Sequence, residues 1–103
     1  MYKIALVCEN GASTGMVVKK MIAAAKSKGI AADIAAYPFT QMENFIQEKD
    51  AVLLGPQLAF KKDAARKSFP EYAEKIDTIA PMDFGMMNGD KILEDAIKLA
   101  EKQ

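Results

Sequence analysis

The sequence has no histidine, no tryptophan and only one cysteine among its 103 residues. Without histidine it lacks the commonest metal ligand and the commonest general base, and it cannot be a histidine phosphocarrier. We therefore expect no metal site and no cofactor, and any histidine that the function needs has to come from a partner. A single cysteine cannot form an internal disulfide, which is typical of proteins in the reducing cytoplasm.

The sequence also has no excess of charge of one sign and no long apolar run. The 14 basic and 14 acidic side chains cancel, so no basic face for nucleic acid is expected. No stretch approaches the roughly 18 apolar residues of a membrane span. The apolar start Ile4–Cys8 is too short for a signal peptide. The composition therefore predicts a protein that neither binds nucleic acid nor inserts into a membrane.

Strand-like and helix-like segments alternate along the chain. Half of the residues are hydrophobic, enough for the core of one domain over residues 1–103. The predicted strands are 2–7, 30–37, 51–54 and 76–80, and the predicted helices are 14–28, a short one opened at 40–43, 57–68 and one after residue 88. This alternation predicts an α/β, three-layer sandwich in which helices cover both faces of a four-stranded parallel sheet of order 2-1-3-4.

Local signals predict where individual helices begin, end and pack. Gly29 is placed to end the first helix, and Asn88 to cap the last one. Residues 40–43 (TQME) have the spacing of a capping box. The apolar stripes are expected to consist of Val17, Val18, Met21, Ile22 and Ala25 in the first helix and Ile92, Leu93, Ala96, Ile97 and Ala100 in the last.

Cys8 ends the first strand, at the point where the predicted strand order reverses and ligands of such folds bind. The segment that follows has the composition of a phosphate-binding loop: Glu9, Asn10, Gly11, Ala12, Ser13, Thr14 and Gly15. Its backbone N–H groups and the helix N-terminus would attract an anion, and the same field would lower the pKa of the thiol. Ser13 and Thr14 can cap the helix or donate hydroxyls. This interpretation needs an accessible sulfur; the alternative is an inert cysteine acting as a small hydrophobe.

Several known chemistries of such a loop are excluded by what the sequence lacks. Low-molecular-weight tyrosine phosphatases use Cys-x5-Arg, whose arginine clamps phosphate. Here Thr14 stands at that position, and the only arginine is Arg66. No second cysteine is present to resolve a redox intermediate, and neither a dinucleotide fingerprint nor a P-loop occurs. What remains is a cysteine that holds a phosphoryl group and passes it on, or a module that binds phosphate without reacting.

The sequence resembles the IIB components of the lactose/cellobiose class of the bacterial sugar phosphotransferase system. The resemblance covers nearly the whole chain and is strongest in LVCENGASTGMVVKKM (6–21), AVLLGPQLAF (51–60) and PMDFGMMNGDKIL (81–93). The family often has methionine where Ala12 stands, and serine or threonine where Gly15 stands. The resemblance implies a fold similar to that of the low-molecular-weight tyrosine phosphatases.

The resemblance also implies a function for Cys8. A phosphohistidine on a IIA partner would phosphorylate Cys8, and the phosphocysteine would phosphorylate a β-linked disaccharide, of the cellobiose, lactose or chitobiose class, bound by the membrane IIC partner during uptake. The chain would then be a cytoplasmic phosphotransferase, a monomer, that meets the inner face of the membrane only through IIC. The alternative is a regulatory module that binds phosphate or a phosphopeptide, with Cys8 inert; a phosphatase is less favoured.

Other residues are candidates for secondary roles. Asp83 is expected in a loop after the fourth strand, where it shapes the loop or the partner surface rather than acting as an acid. Glu9 either repels stray anions or is simply a solvated loop residue, and the second interpretation is favoured. Gln57 is a candidate for assisting the site or capping a helix. A loop containing Met82, Asp83, Phe84, Met86 and Met87 is apolar enough for partner docking, because methionine adapts its shape. The same side chains could instead close the core.

Overall fold

Four parallel strands form one sheet in the computed structural model, which describes residues 1–9 and 14–102. The strands are β1 (Tyr2–Cys8), β2 (Ala32–Pro38), β3 (Ala51–Leu54) and β4 (Ile76–Thr78). Their order is β2-β1-β3-β4, and every neighbouring pair is parallel. The predicted strand order 2-1-3-4 is therefore confirmed, with β1 inside the sheet.

Helices cover both faces of this sheet. They are α1 (Gly15–Lys28), α2 (Met42–Phe45), α3 (Lys62–Ser68), α4 (Pro81–Gly85) and α5 (Gly89–Glu101), with 3-10 turns at Phe39–Gln41, Ile46–Glu48, Pro56–Lys61 and Pro70–Lys75. Ile4 and Leu6 of β1 pack with α1 and α5, whereas Ala5 and Val7 pack with side chains from 42–46 and 58–65. The continuous apolar pattern of β1 thus fills two cores, as the three-layer prediction requires.

In the middle of the chain, several helix boundaries differ from the predicted ones. The predicted capping box at 40–43 is wrong, because helical turns begin at Phe39, directly after the extended Pro38, and no side-chain cap bond forms there. Thr40 already lies inside a turn, where its hydroxyl is not at a cap. The predicted helix 57–68 is a 3-10 segment followed by α3, and Pro56 occupies its first turn.

The end of the sheet also differs from the prediction. β4 stops at Thr78 rather than at residue 80, and Pro81 starts the one-turn helix α4 instead of a loop. Proline suits the first turn of a helix because its missing N–H has no partner there anyway. Residues 81–85, Asp83 among them, are therefore helical. In α1, Ile22 is more than a third exposed, and Ala24 is buried in its place.

Close packing of α1 against α5 supports the Cys8 end of the sheet. Gly29 ends α1 with φ 67, the left-handed conformation expected of a terminating glycine. Asn88 caps α5 as predicted, since its side chain accepts a hydrogen bond from the Lys91 N–H at 3.2 Å. Gly89 lies so close to α1 that an added Cβ would stand 2.5 Å from the Lys20 carbonyl carbon. The two helices therefore meet backbone to backbone.

Candidate functional site

Cys8 is the last residue of β1 and pairs with Pro38 at the end of β2. On the other side of β1, the Gly55 N–H donates to the Val7 carbonyl at 2.8 Å, just beyond the end of β3. The carboxyl ends of three neighbouring strands thus surround the cysteine. This is the edge where the strand order reverses, as the sequence predicted.

Burial of the cysteine is where the structure departs from the expected accessible sulfur. The Cys8 residue is only 2% exposed. A phosphorus atom must come within bonding distance of the sulfur to react with it. The sulfur must therefore be uncovered at some stage if Cys8 reacts.

Thr14 lies directly against this sulfur. Its hydroxyl donates to the Cys8 Sγ at an Oγ1–Sγ distance of 3.8 Å, and the residue is completely buried. Thr14 immediately precedes α1 but makes no side-chain cap bond to that helix. Of the two roles that the sequence allowed for Thr14, the structure supports hydroxyl donation rather than capping.

The rest of the predicted phosphate-binding loop is described only in part. Glu9 is exposed. Gly15 starts α1, and no described residue outside its chain neighbours and its own helix backbone has an atom within 4 Å of an added Cβ. The predictions for Asn10, Gly11, Ala12 and Ser13 lie outside the described residues. The structure thus places Cys8 and Thr14 together and leaves the backbone cradle a prediction.

The secondary candidates lie on elements that follow β3 and β4. Gln57 is exposed in the turn after Gly55, and its Oε1 is 2.8 Å from the position of a Gly55 Cβ. Asp83 is half-buried. Its carboxylate helps to raise the pKa of Lys91, although the hydrogen bond to Asp95 contributes most. Asp83 is thus electrostatically linked to α5.

The methionine-rich segment is exposed rather than buried in the core. Met82 and Met86 are 75% and 70% exposed, Met87 is also exposed, and Phe84 is half-buried against the core. Met16, in the first turn of α1, is 53% exposed and was missed by the sequence analysis. The sequence did contain a signal for its exposure, because Met16 is apolar but falls outside the apolar stripe of α1. Met16 is therefore a further exposed apolar side chain, in the first turn of α1.

Within residues 1–9 and 14–102, no helix is long and apolar enough to span a membrane. The same residues hold no group of three or more cysteine, aspartate or glutamate side chains that could bind a metal ion.

Comparison with known proteins gives one family and several similar relatives. Residues 3–95 match the family model described as the lactose/cellobiose-specific IIB subunit of the phosphotransferase system. The chain is 37% identical over 103 residues to the oligo-beta-mannoside-specific EIIB component of Bacillus subtilis, with each chain fully covered. It is 38% identical over 101 residues to the galactose-specific EIIB component of Lactococcus lactis subsp. cremoris and to the cellobiose-specific one of subsp. lactis, covering 93% of this chain and 94% of each relative.

Solved structures give the same result for the fold. The cellobiose-specific IIB protein of Borrelia burgdorferi has a TM-score of 0.83 at 37% identity, covering 98% of this chain and 93% of that one. The lactose-specific IIB domain of Streptococcus pneumoniae has a TM-score of 0.82 at 11% identity, covering 94% and 95%. A low-molecular-weight tyrosine phosphatase of Bacillus subtilis has a TM-score of 0.62 at 12% identity, covering 98% of each chain. The last two likenesses concern the fold alone, and they confirm the expected similarity to the phosphatase fold.

Proposed function

Since the chain belongs to the lactose/cellobiose-specific IIB subunits of the phosphotransferase system, we propose that Cys8 is the residue that carries the phosphoryl group. IIB components are phosphotransferases of sugar uptake and work with IIA and IIC partners. The observation that carries the proposal is the position of the chain's only cysteine, at the end of β1 where the strand order reverses and against Thr14, the residue before α1. The proposed carrier atom is therefore the Cys8 sulfur.

Two transfers make up the proposed reaction. In the first, the Cys8 thiolate attacks the phosphorus of a phosphohistidine on IIA, the S–P bond forms, and the P–N bond breaks with its electron pair on the imidazole. In the second, a sugar hydroxyl held by IIC attacks the same phosphorus, the S–P bond breaks, and sulfur leaves as thiolate. The sugar's proton goes to a base of the partner, so this chain needs no general acid or base of its own.

Positioning and charge stabilisation are the main tasks of such a site. We propose that backbone N–H groups between Glu9 and Gly15 hold the phosphoryl oxygens during both transfers. Thr14 stands where the phosphatases have their clamping arginine. A site without that clamp holds the oxygens of the phosphocysteine less tightly, and this favours onward transfer over a stable intermediate.

The burial of Cys8 adds a requirement to this proposal. The sulfur has to become accessible before the donor phosphorus can reach it. In the native protein, Cys8 must therefore react with a small alkylating reagent such as iodoacetamide faster than global unfolding allows. If alkylation is as slow as unfolding, the carrier role is refuted and Cys8 is an inert core residue.

The partner surface and the sugar are further parts of the proposal. We propose that Met82, Asp83, Phe84, Met86 and Met87 form the docking face, because its three methionine side chains are exposed. The protein would act as a cytoplasmic monomer and reach the membrane only through IIC. The sugar is proposed to be a β-linked disaccharide of the cellobiose, lactose or chitobiose class. Relatives of nearly equal identity are named for oligo-β-mannoside, galactose and cellobiose, so identity to them does not select one sugar.

Intact mass spectrometry tests the carrier role. The reduced protein is mixed with a IIA protein of this class that is phosphorylated on histidine, and its mass is followed. We expect an increase of one phosphoryl group in the native chain and none in Cys8→Ala. An unmodified native chain would favour the alternative, a non-catalytic phosphate- or phosphopeptide-binding module. Release of phosphate from an aryl phosphate would indicate a phosphatase instead.

A further inference from the structure

Thr14 has the position of a helix cap without acting as one. Its carbonyl accepts the Val18 N–H at 2.9 Å, as expected for the residue before a helix, although its φ and ψ of −94° and −5° are helical rather than extended. A threonine there usually accepts an N–H of the first helical turn with its side chain. Here the side chain makes no such bond, and its hydroxyl points to the Cys8 sulfur. The hydroxyl is therefore not used to stabilise the helix.

We propose that Thr14 is a positioning residue that holds the Cys8 sulfur in its ionised, leaving form by donating a hydrogen bond from its hydroxyl to that sulfur. The inference rests on the proposed carrier function and assigns the hydroxyl a task within it. A hydrogen bond donated to the charged form of a group favours that form. Thr14 is completely buried, so water cannot easily replace its hydroxyl in a variant that lacks it.

The bond affects the two transfers differently. During onward transfer, the electron pair of the breaking S–P bond returns to sulfur, and the Thr14 hydroxyl stabilises that developing charge. During acceptance, the same bond increases the thiolate population but lowers the nucleophilicity of each thiolate. Removing the hydroxyl should therefore slow donation to the sugar more than acceptance from IIA.

A set of three variants separates the hydroxyl from the packing of the side chain. Thr14→Val keeps the branched shape and removes the hydroxyl, Thr14→Ala removes both, and Thr14→Ser keeps the hydroxyl. The rate of Cys8 alkylation by iodoacetamide is measured against pH by intact mass. In the valine and alanine variants, we expect the midpoint of this pH profile to rise by about one pH unit, which means a tenfold loss of thiolate below the midpoint. A shift of about this size is near the lower end of what a hydrogen bond to a charged group contributes. The serine variant should stay close to the native profile.

The possible outcomes decide between the inference and the function on which it rests. Equal profiles for the native and valine proteins, or equal shifts for serine and valine, would overturn the role of the hydroxyl and leave the carrier function standing. A native chain that takes no phosphoryl group from phosphorylated IIA would refute the carrier function, whatever the alkylation profiles show. A selective loss of onward transfer in Thr14→Val, restored in Thr14→Ser, supports both.

Discussion

Substituting Gly89 by alanine tests the close contact between α1 and α5 that supports the Cys8 end of the sheet. An added Cβ would lie 2.5 Å from the carbonyl carbon and 2.6 Å from the carbonyl oxygen of Lys20, whereas ordinary contacts begin at 3.4 Å. The helices would have to separate by about 0.9 Å to reach that distance. Because the nearest atoms belong to the backbone, no side-chain rotation can relieve the clash.

The free energy of unfolding should fall by about 2 kcal/mol. Forcing one extra carbon into a packed interface costs typically about 1–3 kcal/mol. The gain from restricting the unfolded chain at a former glycine is about 0.4–1 kcal/mol, so it offsets only part of that cost. For a domain of this size, a loss of about 2 kcal/mol corresponds to a drop in Tm of about 8–16 °C.

Gly15→Ala is the matched control, because Gly15 and Gly89 are each the first residue of a helix. Among the residues that the structure describes, apart from its chain neighbours and the backbone of its own helix, none has an atom within 4 Å of a Cβ added at Gly15, so only the favourable backbone effect of about 0.4–1 kcal/mol is expected. Urea unfolding followed by far-UV circular dichroism measures both variants. If Gly89→Ala were as stable as the native protein, or if both variants shifted by the same amount, the close approach of the two helices would be refuted.

Two further variants test a half-buried carboxylate and the proposed docking face. Burial raises the pKa of Asp77, but hydrogen bonds from the next residue's N–H and from the Lys62 ammonium outweigh it and hold the pKa below its usual value. This carboxylate therefore stabilises the fold above its ordinary pKa of about 3.9, and the contribution is lost as pH falls through the lower folded value. The deficit of Asp77→Asn against the native protein should shrink below about pH 4 in urea titrations; a deficit that stays constant through this range would refute the stabilising role of the carboxylate. Met82→Gln with Met86→Gln should reduce transfer from IIA about fivefold at unchanged stability; unchanged transfer would exclude this face from docking.

The two central strands, β1 and β3, could be predicted from the sequence because they are buried on both faces. Residues 4–7 and 51–54 are continuous apolar runs, and each is too short for a helix, so only a central strand fits. Gly29 and Asn88 were also informative, because a left-handed terminus and a side-chain cap are local features with few alternatives. Once the alternation of strands and helices was known, the order of the strands placed Cys8 at the reversal point.

Features that depend on tertiary contacts were not predictable from local patterns. The capping-box spacing at 40–43 was overridden because Pro38 ends β2 and a helical turn follows at once. Pro81 was read as a strand breaker, but the same residue also suits the first turn of a helix, and it begins α4. The exposure of Ile22 and the direction of the Thr14 hydroxyl are set by neighbours distant in sequence or by side-chain orientation, which spacing alone does not encode.

Absence of the arginine clamp and burial of the sulfur fit the needs of a carrier better than those of a hydrolase. A phosphocysteine that has to last from one partner to the next must be kept from water; the unphosphorylated Cys8 is 2% exposed, so the proposed relay requires it to be uncovered only for each transfer. It must also be released on contact with the acceptor, which a tight arginine clamp would oppose. A neutral hydroxyl such as that of Thr14 stabilises sulfur as it leaves without adding a fixed positive charge to bind the phosphoryl oxygens. This chain shares its fold with a phosphatase. The replacement of the clamping arginine by Thr14 in the loop after Cys8 is a change that favours transfer over hydrolysis.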